Sequence, residues 1–121
     1  PVSMDRLAAP GRCRGALDGV RPAPEGPTSR AVGWAWDNEL RRPVPRTVLV
    51  SEGRVVGVGV SGLPRPDVAE ALGRRRARSA GWEASVAPAT ASAITAFALL
   101  PDGALCRLDG AHPPPGSAAG A

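Results

Sequence analysis

A hydrolytic or metal-based site needs a base, a nucleophile or several donors at workable spacing, and this chain has few of them. Its one histidine, His112, lies in the proline-rich stretch AHPPPGSAAGA, so neither a Ser-His-Asp triad nor a histidine metal site can be assembled. The acids fall at turns (Asp37, Glu52, Asp102, Asp109) and on one short helical segment, where solvation or capping accounts for them without a catalytic pair. The chain reads as a non-enzyme without a cofactor or metal.

Chemistry of another kind is open to the remaining features. Trp34 and Trp36 sit in Gly33-Trp34-Ala35-Trp36-Asp37 and share a face if the segment is extended, since strand side chains repeat every second residue. That face is either core or a platform on which a sugar ring could stack. Arg65-Pro66-Asp67 offers a guanidinium beside a rigid neighbour, with Asp67 close in sequence and Asp37 as a partner through space. The expected role is a charge-assisted pair tying a loop to the Trp strand, with a ligand contact as the alternative. Trp82 completes the set, giving Trp34, Trp36, Asp37, Arg65, Asp67 and Trp82 as the candidate ligand-binding residues.

Arg74-Arg75-Arg76-Ala77-Arg78 could grip phosphate, uronate or an anionic lipid, or be a solvated loop. No aromatic interleaves with it, so stacking on bases has no support and nucleic acid is not an expected partner. The net charge is +4, and all 15 basic residues are arginine, a bias that GC-rich coding would also produce. Gly57-Val58-Gly59-Val60-Ser61-Gly62 spells G-x-G-x-x-G. Leu63-Pro64-Arg65-Pro66 blocks the long helix that a dinucleotide turn requires, which leaves the glycines for a bulge or a close approach of strands.

Cys13 and Cys106 are the only cysteines. Their placement in the first and last expected strands suggests a disulfide joining the terminal strands, against the alternative of two buried thiols; two distant cysteines cannot make a zinc site by themselves. A bridge would place the domain outside the reducing cytoplasm, in the periplasm or at the cell surface.

The elements that must position these residues are short. With 121 residues the chain suits one core, and with aromatics at only 3% that core has to be built from Val, Ala and Leu around the three tryptophans. Residues 1–11 read as a lead-in linker, 12–110 as the folded domain and 111–121 as a flexible Pro/Gly/Ala tail. Apolar runs punctuated by Gly, Pro and Asp predict strands over Cys13 to Leu17, Ala31 to Asp37, Arg46 to Ser51, Arg54 to Val60, Gly81 to Val86, Ala91 to Leu100 and Leu105 to Leu108. Hairpin turns are expected at Glu52-Gly53 and at Pro101-Asp102-Gly103.

Arg41-Arg42-Pro43-Val44-Pro45 is expected to be a linker crossing between sheets, because two prolines exclude a central strand. Pro66 to Gly73 has the marks of one short helix: proline at the start, acids in the first turn and a terminal glycine. Seven strands with one long connection favour an all-β, two-sheet antiparallel sandwich, immunoglobulin-like or jelly-roll-like, over a closed barrel. No apolar run reaches the roughly 20 residues needed to cross a bilayer.

Taken together, C-x-G-x-L-D at Cys13 to Asp18, V-G-W-A-W-D at Val32 to Asp37, V-V-G at Val55 to Gly57, R-P-D-V-A at Arg65 to Ala69 and G-W at Gly81 to Trp82 resemble a known module. It is the C-terminal extracytoplasmic β-sandwich of some bacterial polytopic membrane glycosyltransferases and related glycan-handling proteins. Trp82 departs from it, standing where such modules carry phenylalanine. The resemblance implies a non-catalytic accessory domain that follows a membrane transferase and contacts glycan or lipid-linked sugar. A structural or protein-interaction domain positioning a neighbouring enzyme is the alternative.

Overall fold

The computed structural model describes residues 7–9, 11–22, 28–86 and 94–110. His112, the Pro/Gly/Ala tail and residues 91–93 of the expected sixth strand lie outside the described residues. The strands are β1 (Cys13–Pro22), β2 (Ser29–Asp37), β3 (Arg42–Pro43), β4 (Arg46–Ser51), β5 (Arg54–Leu63), β6 (Gly81–Val86), β7 (Thr95–Leu99) and β8 (Leu105–Arg107). Between β5 and β6 lie one helix, α1 (Pro66–Leu72), and a 3-10 turn, Arg75–Ser79.

All eight strands belong to one antiparallel sheet in the order β1-β2-β6-β5-β4-β7-β8, with the two-residue β3 pairing the end of β2. The mostly-β architecture with one short helix is as expected, but the backbone ladder is not divided into two sheets. The sheet curls instead, and its two edges meet. Cys13 on β1 and Cys106 on β8 form a disulfide with a Cα–Cα distance of 6.1 Å, and the Gly110 amide donates to the Gly15 carbonyl at 2.8 Å. Antiparallel pairing is local at each rung and carries no mark of where a sheet is to split, so a single curled sheet and a sandwich share one strand pattern.

Local chemistry explains the turns. Glu52 and Gly53 both take positive φ (52° and 75°) between β4 and β5, the backbone that a two-residue hairpin needs to match strand twist. Leu100 and Ala104 close the Pro101-Asp102-Gly103 turn through a 2.9 Å backbone bond, and the Asp102 carboxylate accepts from the Ala104 amide. Helix α1 stops at Gly73, whose left-handed φ of 64° lets its amide and that of Arg74 satisfy the last carbonyls. The Arg41–Pro45 stretch folds back on β2 as β3, with Trp36 opposite Pro43. It then delivers the chain to β4, which is separated from β2 by β6 and β5 in the sheet.

The two faces of the sheet hold different cores. Inside the curl, Ala31, Ala35, Leu49, Trp82, Ala98 and Leu108 pack together with the disulfide at the rim. On the other face, Trp34 and Trp36 pack with Ala16 on β1, Val68 on α1, and Ala77 and Ala80 around the 3-10 turn. β2 is therefore covered on both sides, and its alternation sorts small residues inward (Ala31, Gly33, Ala35) and indoles outward under the helix.

Candidate functional site

The six candidate residues do not converge on one site. Trp34 and Trp36 were expected to fill the interior or form an open platform. They belong to a core, on the outer face of the sheet rather than inside the curl, where α1 and the 3-10 turn cover them at 1% and 3% exposure. The large residue inside the curl is Trp82, with no exposed surface. It faces Gly33 on β2 across the ladder, where a Cβ would come within 2.6 Å of the indole, and a Cβ at Gly59 on β5 would crowd the same ring. The G-x-G letters of β5 thus make room for an aromatic side chain, as strand glycines do where another group approaches closely. Stacking on a sugar needs an open indole face, and neither Trp34 nor Trp82 has one.

Asp37 and Arg65, expected to pair, belong to separate ion pairs. Asp37 is 2% exposed and takes a two-pronged contact from Arg12, Nε to Oδ1 and Nη2 to Oδ2, both at 3.1 Å. Its Oδ1 also accepts the amides of Glu39 at 2.9 Å and Leu40 at 3.0 Å, forming the turn that leaves β2. Burial by itself would raise the Asp37 carboxyl, but the Arg12 guanidinium and the Leu40 and Glu39 amides outweigh it, so the group is held below the ordinary aspartate value.

Arg65 instead forks onto Asp67, Nε to Oδ1 at 2.9 Å and Nη2 to Oδ2 at 2.8 Å, while its Nη1 bonds Asp18 on β1. One guanidinium thereby ties the start of α1 to the first strand. The hydrogen bond to Asp67 raises the Arg65 value, and the same contact lowers that of Asp67. Asp67 and Asp37 are both ionised partners in ion pairs rather than poised acids. Among the described residues, no group of three His, Cys, Asp or Glu side chains could hold a metal ion.

Sequence reasoning missed two residues. Arg12 sits at the boundary between the expected lead-in and the first strand, and nothing local marks it as the partner of Asp37 among the 15 arginines. Arg41 was placed in a linker, yet it adopts a left-handed φ of 54° and lines a groove with Trp36 and the arginines after α1. Its position between a turn-forming aspartate and a proline pair was the available signal.

Comparison with known proteins finds no match: no family model, no curated protein and no solved structure is similar to the chain.

Proposed function

We propose that this chain is a non-catalytic accessory module that works outside the cytoplasm, next to a membrane glycosyltransferase, and contacts glycan or lipid-linked sugar. The observation that carries it is the Cys13–Cys106 bond across the seam of the curled sheet. A covalent staple between terminal strands persists in an oxidising compartment and is kept reduced in most cytoplasms. Support also comes from the candidate residues themselves, whose charges and rings are taken up by packing and ion pairs, as in a scaffold. The link to glycan comes from the paired G-W-A-W-D and R-P-D-V-A signatures. With Trp34 and Trp82 sealed, sugar contacts fall to exposed polar groups.

The alternative, an interaction domain that positions a neighbouring enzyme, is favoured by a row of exposed valines on β5, Val55, Val58 and Val60, each more than half exposed. Passing the disulfide-intact chain over immobilised bacterial glycans separates the two. Retention by a defined glycan supports the first reading. Failure across the set, with capture of the transferase domain from the same parent, supports the second.

A further inference from the structure

We infer that the groove between Trp36 and the turn after α1 is a binding site for a phosphate- or diphosphate-bearing ligand. It encloses about 330 Å³ and is lined by Trp36, Arg41, Gly73, Arg74, Arg75 and Arg76. Four arginines therefore border one small space whose lining includes no carboxylate. None of the four forms an ion pair among the described residues. Like charges around one groove repel one another, and an anion bound there relieves the repulsion.

The backbone brings the four together by two independent devices. Gly73 in its left-handed cap turns the chain out of α1, and the buried Ala77 anchors the 3-10 turn, leaving Arg74, Arg75 and Arg76 exposed. The Asp37-centred turn presents Arg41 at φ 54°, a left-handed conformation that is strained for a non-glycine residue. Glycine would hold that turn without the strain, and would also remove the charge. A solvated basic loop would need neither the strained arginine nor the convergence.

The ligand class follows from the donors. Arginine presents planar, paired N–H groups that match phosphate oxygens, and four such groups suit a multiply charged phosphoryl group better than a singly charged carboxylate. Trp36 is too buried to stack on a ring, so it serves as the apolar floor of the groove. This inference does not rest on the glycan reading, since the groove would take the phosphoryl group of a soluble ester or of a lipid headgroup alike.

The test is calorimetric titration of the disulfide-intact chain with inorganic pyrophosphate at about 0.15 M salt, where exposed charges are screened beyond about 8 Å. Saturable binding is expected, weakened about tenfold or more by Arg75→Ala/Arg76→Ala and by Arg41→Gly. Arg41→Gly should melt no lower than the parent, which separates lost binding from lost fold. Arg54→Ala, an exposed arginine outside the groove, should change affinity by less than about twofold.

Vesicles of phosphatidylcholine with and without phosphatidylglycerol identify the source. Preference for the anionic vesicles over pyrophosphate assigns a lipid headgroup, and the reverse assigns a soluble phosphoester. The inference is overturned if neither probe saturates, if glucuronate binds more tightly than pyrophosphate, or if Arg54→Ala weakens binding as much as the groove variants. Binding of pyrophosphate with no glycan retained would leave this site standing and remove the glycan reading; the opposite pattern would do the reverse.

Discussion

Arg12 closes two guanidinium nitrogens on the Asp37 carboxylate, each at 3.1 Å, and so pins the chain ahead of β1 to the exit of β2, 25 residues further on. The same carboxylate organises the turn that presents Arg41 to the groove. One buried acid thus couples the seam side of the sheet to the face that carries the arginines.

Removing that acid should be costly in a graded way. Asp37→Ala leaves two turn amides and the guanidinium without their acceptor and is expected to lower stability by about 2–4 kcal/mol. Asp37→Asn keeps a carbonyl oxygen for the amides and should lose less. Chemical denaturation of the two variants checks the order; equal losses would mean that the turn hydrogen bonds to Asp37 contribute nothing beyond its charge.

Acid should destabilise the fold for the same reason. Asp37 and Asp67 are both held below the ordinary aspartate value of 3.8 in the folded chain. Their contribution is therefore complete above that value and disappears as pH falls through their lower folded values. Melting temperature is expected to be flat across mildly acidic pH and to drop below about pH 4, with a shallower drop in Asp37→Asn. A melting temperature indifferent to pH in that range would contradict both ion pairs.

Arg65→Ala should lower stability by roughly 1–3 kcal/mol, because it releases α1 from β1 and removes the guanidinium shared by Asp18 and Asp67. Lysine should not restore it, since a point charge cannot reproduce a fork that spans two acids. An unchanged melting temperature in Arg65→Ala would show the contacts to be solvated and dispensable.

Gly33→Ala is expected to cost about 2–4 kcal/mol, since its Cβ would strike the Ala16 carbonyl and the Trp82 ring, neither of which can retreat. Gly19→Ala, where nothing lies within 4 Å of the added atom, serves as the control and should be near neutral. Similar losses at both positions would point to backbone propensity rather than to the Trp82 packing.

The features legible from the sequence were those written locally. Glu52-Gly53 and Pro101-Asp102-Gly103 encode their turns within a few residues, Pro66 and Gly73 bracket α1, and two cysteines leave only one intramolecular pairing. What escaped depends on distant choices. Trp34 and Trp36 lie under α1 because β2 is covered on both faces, and a strand covered on both faces loses the apolar–polar alternation that would say which face is which. The partner of Asp37 is one arginine among many. The arginine groove forms only when the turn after β2 and the turn after α1 are brought side by side; the run after α1 by itself fits a solvated loop as well as an anion grip.

The staple should be measurable directly. Reduction is expected to add about two hydrogens to the mass. On the chain-entropy model, it should lower stability by about 4–5 kcal/mol for a separation of 93 residues. An unchanged mass would remove the case for an oxidising compartment.

The role of this module is tested at residue level by NMR titration of the oxidised chain with oligosaccharides and lipid-linked sugars of the producing organism. Saturable shifts are expected at exposed polar residues, while the indole N–H signals of Trp34 and Trp82 stay in place. Absence of saturable shifts with every sugar would contradict the glycan role, and large shifts of the Trp34 or Trp82 indoles would contradict their place in the core.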